Sequence, residues 1–469
     1  MYSLPQYVGK LIKDYLITNL SALNRVPEVW HYVDIFCHHD DTVRHAHLDA
    51  LRMAFEHIDK DFKHSKERKA LYYTKGRRPR MLLTLWGELR FEREYYVPKS
   101  GKDGFFYVDR ILGLPARDYY DPLIKATLIE ASAKESYSRA GELAGALIGK
   151  RFKFVHEQRL ARISRQTVRN IILSRELILE DEPRKPRKTD ILYIQMDEKF
   201  ISLQREDKKH HEVKAAVLYT DILPVSMRRR QLHNRRVFTT TGSAGALKDD
   251  ISDYIAENYD TEHIETVFIS GDGASWIKSS RDAYRFTPDV TTHFALDRFH
   301  MQQAVNHITP EPNIREVLTY YIREDAKEAF NQTCEAILDD NPHREDVIEE
   351  KQAYINRNWS AIQKQKHGRF KGCSVEGHIS HILAAVFSSR PKGYTRRMLN
   401  HLLPLRTLYV NGDDIKKRYL QSHTDYFFRE NIDVETAYLC HSKTVSSKSW
   451  HREMMKELNQ CRFEDLRFL

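Results

Sequence analysis

The chain has 469 residues, too many for one hydrophobic core, so two or three domains are expected. With 41% hydrophobic and 30% charged residues it can bury real cores, which excludes a broadly disordered chain. A formal net charge of +9 and a pI near 9.0 favour a polyanionic partner, with nucleic acid first.

No apolar run approaches the roughly 20 residues that span a bilayer, and the N-terminus lacks the charged-then-apolar pattern of a signal peptide, so a cytoplasmic protein with no membrane partner is expected. Cys37, Cys334, Cys373, Cys440 and Cys461 lie far apart without a CxxC pair, which points away from a disulfide framework or a cysteine-rich zinc site.

In chain order, residues 7–23 and about 41–63 carry apolar residues at helical spacing, among them Leu48, Leu51, Phe55, Ile58 and Phe62. The run from His64 to Arg80 holds seven Lys or Arg and two tyrosines. It is either a solvated face or a phosphate-contacting patch, in which Lys75, Arg77 and Arg78 would act on the backbone of a nucleic acid. Met81-Leu-Leu-Thr-Leu and Leu89-Arg-Phe-Glu-Arg-Glu-Tyr-Tyr flank Trp86-Gly-Glu88, a hairpin signal. Residues 1–120 therefore read as a helical module with a β-hairpin.

From 121 to 180 the pattern is helical. Ser164 is a candidate N-cap before Val168, Ile171 and Ile172. With Ser136 to Gly145 as the preceding helix, the segment is helix-turn-helix-like, and Arg165, Gln166 and Arg169 fall at the end of the second helix that would meet DNA. Plain helix packing is the alternative. The charged stretch 181–190, with Pro183 and Pro186, is a linker.

After it, Ile191 to Gln204 alternates like a half-buried strand but places Asp197 where an ionised side chain is costly without a partner or a metal. Glu212–Thr220 and Arg235–Thr241 read as further strands, Leu247–Tyr259 as a helix, Ile264–Gly273 as a strand ending on Asp272 between two glycines, Ala274–Tyr284 as a helix and Thr291–Asp297 as a last strand. The order β-β-β-α-β-α-β is that of a ribonuclease H-like core, a mixed sheet with helices on both faces, here spanning 191–300. A helical insertion at 301–371 follows, then a helix at 372–400 carrying Glu376, and a C-terminal helical segment at 401–469. Glu376 alone reads equally well as a carboxylate compensating the helix dipole.

Four motifs carry a family resemblance: Met196-Asp-Glu198; Ser270-Gly-Asp-Gly-Ala-Ser-Trp-Ile277; Leu296-Asp-Arg-Phe-His300; and Cys373-Ser-Val-Glu-Gly-His-Ile-Ser-His381 with Ser388-Ser-Arg-Pro391. With them the chain resembles the DDE transposases of bacterial insertion sequences, most closely the ISLre type. The resemblance implies a catalytic and metal-binding triad of Asp197, Asp272 and Glu376, with Asp297 and His300 in a structural or supporting role. It implies two Mg²⁺ ions, with Mn²⁺ as an alternative, about 3.5–4 Å apart for in-line displacement at phosphorus. Asp197 would bridge both ions, and no protein nucleophile is needed, so Ser374, His378 and His381 are not read as a triad. The implied partners are double-stranded DNA, as element ends and as target, and further copies of the chain assembled on it in the nucleoid. A ribonuclease H-like nuclease and a non-catalytic DNA-binding descendant are the alternatives.

Overall fold

The run from Ile191 folds because Leu192, Ile194 and Met196 put apolar side chains on one face and its neighbours supply a layer on each side. In the computed structural model, which describes residues 29–101, 103–148, 163–174, 185–227, 229–373, 377, 380–387 and 394–422, this run is the central strand of a five-stranded sheet. The chain divides into two compact units, residues 180–413 and residues 1–179 with 414–469.

In the first unit, α1 (Val29–His64) is followed by α2 (Lys66–Leu71) and the long hairpin β1 (Tyr72–Thr84) and β2 (Gly87–Pro98). The hairpin is longer than its sequence signal because the basic run itself is the first half of β1. Leu48, Leu51, Phe55 and Ile58 of α1 pack on Leu82, Leu89 and Phe91 of the hairpin, as their spacing predicts. Phe55 meets Phe91 edge to face at 5.2 Å, a geometry that favours aromatic pairs. Buried Asp59 of α1 ties the two elements by accepting from the Glu94 N–H at 2.8 Å. The predicted helix at 7–23 lies outside the described residues.

Next, β3 (Phe105–Phe106) and α3 (Tyr107–Ile111) lead to α4 (Pro122–Lys134), α5 (Tyr137–Ile148) and α6 (Arg165–Ser174), which pack pairwise. Ser164 caps α6, its Oγ accepting from the Thr167 N–H at 3.1 Å, and Val168, Ile171 and Ile172 are buried. Glu135 and Ser136 alone join α4 to α5, and residues 149–162, between α5 and α6, lie outside the described residues, as does the turn expected before α6. Residues 415–422 are helical and belong to this unit, Lys416 pairing with Glu130 of α4 at 3.1 Å.

In the second unit, β4 (Ile191–Ser202), β5 (His210–Tyr219) and β8 (Arg236–Thr240) form an antiparallel meander, interrupted by a separate hairpin, β6 (Asp221–Pro224) and β7 (Arg230–His233), that the sequence reading left unassigned. Helix α7 (Ala244–Asn258) crosses over to β9 (Thr266–Gly271), which runs parallel to β4 on its free side, and β10 (Thr291–Leu296) extends the sheet parallel to β9. The order is β10-β9-β4-β5-β8. The predicted helix at 274–284 is two short ones, α8 (Ser275–Lys278) and α9 (Ser280–Ala283).

Helices α10 (Arg298–Ile308), α11 (Pro312–Arg323), α12 (Lys327–Asp340), α13 (Glu345–Arg357) and α14 (Trp359–Gln363) share one apolar cluster with Leu192, Ile194 and Met196 of β4 and Leu247, Ile251 and Ile255 of α7. Helix α15 (Arg396–Asn411) covers the edge strand β8: the Asn411 amide accepts from the Val237 N–H at 2.8 Å and donates to its carbonyl at 2.9 Å. This pairing protects an edge that would otherwise template aggregation. The expected division at 401 runs through this helix. Among the described residues no helix is long and apolar enough to cross a membrane.

Candidate active site

Asp197 and Asp272 are brought together by strand register. Parallel pairing of β4 with β9 ends at Gln195↔Ser270, so two residues further along each chain the carboxylates stand level, on strands about 4.8 Å apart. β10 repeats the arrangement: Leu296 pairs with Gly271, which sets Asp297 level with Asp272. Asp197, in the middle of β4, and Asp272 and Asp297, just past the ends of β9 and β10, thus form a row across three adjacent parallel strands. By the two-residue alternation they share the face that carries Tyr193, Phe268 and His293, where Tyr193 stacks on Phe268 at 5.7 Å and His293 lies tilted against Phe268 at 5.1 Å.

Two glycines make the row feasible. A Cβ on Gly271 would lie 2.4 Å from the Met196 carbonyl, so only glycine lets β9 approach β4 this closely. Gly273 has φ +90°, a left-handed conformation that turns the chain immediately after Asp272. The turn is held from both sides. Asp272 Oδ1 accepts from the Ala274 N–H at 2.9 Å, and the Tyr354 hydroxyl of α13 donates to the Asp272 carbonyl at 2.5 Å.

Asp197 is buried, with Oδ1 accepting from the Glu198 N–H at 2.8 Å. Glu198 points to the opposite face, where the Trp276 indole donates to its Oε2 at 3.0 Å. Burial pushes the Glu198 carboxyl up, and neighbouring Glu212 and Asp272 add to the effect. Glu212 is held low, chiefly by its bond to Lys214. Asp297 is the N-cap of α10: Oδ1 accepts from the Phe299 N–H at 3.1 Å, while its other oxygen and His300 Nε2 are buried without a hydrogen-bond partner among the described residues.

Glu376 lies outside the described residues, as do Ser374, His378 and the side chain of His381. The chain leading to Glu376 is described, and it runs over the carboxylate face: the Tyr193 hydroxyl donates to the Arg369 carbonyl at 2.5 Å, and the Tyr219 hydroxyl to that of Gly372 at 3.4 Å. Gln195, two residues before Asp197, donates to the same Tyr219 hydroxyl at 2.8 Å. Among the described residues no group of three His, Cys, Asp or Glu side chains converges closely enough to hold a metal ion.

The basic residues singled out in sequence lie in the first unit. Lys75, Arg77 and Arg78 are exposed at an irregularity in the hairpin, between Thr74 and Arg77, where Gly76 has φ +91°; the Arg78 guanidinium lies over the Tyr95 ring at 4.7 Å. Arg165 and Gln166 are exposed in the first turn of α6, with Gln166 bonded to Asn170 at 2.9 Å, and Arg169 is half-buried. Glu198 and Trp276 sit inside the quoted motifs, but their mutual hydrogen bond was not legible there. Tyr354, eighty-two positions after Asp272, carried no sequence signal at all.

Sheet and site together define an α/β protein with aspartates aligned across adjacent parallel strands. Residues 38–423 match an uncharacterised protein family, UPF0236, and the chain belongs to that family. It is 29% identical over 377 residues to a UPF0236 protein of Caldanaerobacter subterraneus subsp. tengcongensis whose name joins eleven locus designations, with 79% of this chain and 76% of that one covered. A second UPF0236 protein of that organism is 28% identical over 381 residues, with 79% and 76% covered. The UPF0236 protein in vanSb 3'region of Streptococcus gallolyticus is 28% identical over 295 residues, covering 61% of this chain and 62% of its own.

Proposed function

We propose that the chain is a transposase of the DDE type, cutting DNA at the ends of an insertion sequence and joining the freed 3′-OH to target DNA, on a ribonuclease H-like core. The observation that carries the reading is the level register of Asp197 and Asp272, with the chain towards Glu376 crossing the same face. The strand order supports it, because a meander of three strands followed by two parallel additions on the other side of the first is the ribonuclease H arrangement. The eleven locus designations joined in the name of one relative also support it, since one protein encoded at many loci is the copy pattern of an element that moves.

Carboxylates at strand spacing suit hard, oxygen-preferring cations, and Asp197 and Asp272 would hold Mg²⁺ or Mn²⁺ with Glu376 as the third ligand. Such ions supply charge stabilisation at phosphorus and a more acidic attacking hydroxyl. The chain's own contribution is positioning. Gly271 and Gly273 set the Asp272 turn, Tyr354 holds its carbonyl, and the Trp276 indole keeps Glu198 on the other face. Buried Tyr193 and Tyr219, stacked at 5.0 Å, lie on the carboxylate face itself.

The test is a strand-transfer assay with the purified full chain, Mg²⁺ and duplexes carrying the ends of its own element. Cleavage followed by joining, both lost in Asp197→Asn, is the expected result. Cleavage without joining makes the chain a nuclease, and neither activity under any divalent ion overturns the reading.

A further inference from the structure

The β6–β7 hairpin takes no part in the carboxylate row, and its chemistry is unusual. Residues 222–236 contain no Asp or Glu and five arginines, at 228, 229, 230, 235 and 236. Two of these are used within the fold: Arg235 donates to the Val410 carbonyl, and Arg236 pairs with Asp413 at 3.1 Å. Arg229 and Arg230 are exposed and make no ion pair among the described residues.

The same hairpin carries exposed apolar side chains. Leu223 of β6 and Val225 just beyond it precede Met227 in the turn that joins the two strands. They are 41% and 54% exposed, and Met227 is fully exposed. Exposed apolar side chains are ordinary when scattered; three in a row on a projecting tip are not.

The arm is also stiff. Four residue pairs join its strands, and the tip is closed by the Val225 N–H bonding the Arg229 carbonyl at 2.8 Å and the Arg229 N–H bonding Ser226 Oγ at 3.2 Å. At the base, the Thr220 N–H bonds the His233 carbonyl at 3.0 Å, and Asp221 pairs with Lys371. The arm leaves the sheet beyond Tyr219, four residues along β5 from Ala215, the partner of Asp197. The base of the arm is thus about 13 Å along the strand from the level of Asp197, on the side of Tyr193 near the start of β4.

A stiff ribbon with an apolar tip flanked by arginines and free of acids is the chemistry of a wedge that enters the minor groove and parts a base step. A second copy of the chain is a poorer occupant, because two such arms together would oppose arginine to arginine. We propose that the β6–β7 hairpin is a DNA-insertion arm: Arg229 and Arg230 seat on phosphates while Met227, backed by Val225 and Leu223, wedges into a base step. The proposal rests on the transposase reading only in taking duplex DNA as the partner.

The test uses the full chain and a mixed-sequence duplex of about 40 base pairs in about 50 mM salt, with 2-aminopurine at several positions to report unstacking. The wild-type chain raises the fluorescence. Met227→Ser abolishes the rise while binding weakens less than about tenfold, and Arg229→Ala with Arg230→Ala lowers affinity and reduces the salt slope by about 1.8. Unchanged melting temperatures certify that both variants fold. No rise with the wild-type chain, or a rise undiminished by Met227→Ser, overturns the arm. So does a change confined to the oligomeric state in light scattering, which would make the hairpin a contact between copies. Mg²⁺-dependent cleavage is followed in parallel: unstacking without cleavage sinks the transposase reading alone, and cleavage without Met227-dependent unstacking sinks the arm alone.

Discussion

Asp297 offers the sharpest division between support and chemistry, since it stands in the carboxylate row and also caps a helix. Its side chain is buried, one oxygen accepts the Phe299 N–H at 3.1 Å, and the other has no partner among the described residues. Asp297→Ala removes the cap, at a cost of about 1 kcal/mol, and also removes a buried charge, which offsets part of that. For a unit the size of residues 180–413, about 1 kcal/mol corresponds to a melting point lowered by roughly 2–4 °C. Asp297→Asn keeps the accepting oxygen, places a neutral amide where the unpartnered oxygen lies, and relieves a like charge beside Asp272. Its melting point should match or slightly exceed the wild type, and cleavage should stay within about threefold. Thermal unfolding and single-turnover cleavage of the element end measure both. A loss of about 100-fold in cleavage by Asp297→Asn at an unchanged melting point would refute the capping role and make Asp297 a member of the metal site.

For Asp197→Asn, cleavage and joining are expected to disappear while DNA binding in a gel-shift assay survives, because the shape is kept and one ligand charge is lost. Glu376→Gln should be equally inactive and Glu350→Gln, on the exposed side of α13, fully active; the reverse pattern would mean that α13 supplies the third carboxylate. Alanine at Lys75, Arg77 or Arg78 is expected to weaken binding to all duplexes alike and to lower the salt slope by about 0.9 per contact, whereas Arg165→Ala should cost roughly 1–3 kcal/mol on the element end and little on random duplex. Equal binding of both duplexes by wild type and Arg165→Ala would make α6 scaffold. Burial pushes Asp59 up to about 6 from 3.8, against the pull of its bonds to the Glu94 N–H and Tyr96 hydroxyl. The ionised form is thus the costly one in the folded state, so its stabilising term is complete below about pH 4 and is lost as pH rises through about 6. Urea unfolding of the first unit should show this dependence, and Asp59→Asn should remove it; an unaltered pH profile would show that Asp59 is not its source.

Local pattern was enough to find most elements. The spacing of Leu48, Leu51, Phe55 and Ile58 predicted α1 and the face it buries, the Trp86-Gly-Glu88 turn predicted the hairpin, and apolar alternation found β4, β5, β9 and β10, because periodicity depends only on neighbours along the chain. The two acidic residues were legible for the same reason: an Asp inside an alternating strand and an Asp between glycines at a strand end are local anomalies. Their alignment was not. It depends on β9 docking beside β4 rather than beside β8, and on a register that stops at Gln195↔Ser270, both set by packing between segments some seventy residues apart. The same holds for Tyr354 behind Asp272, for Trp276 on Glu198, and for the β6–β7 hairpin, whose short strands carry too few residues for a period to stand out. Sequence determined which residues are chemically out of place in their own segments. Tertiary structure decided which of them meet, because strand order and register are long-range choices made by the whole core.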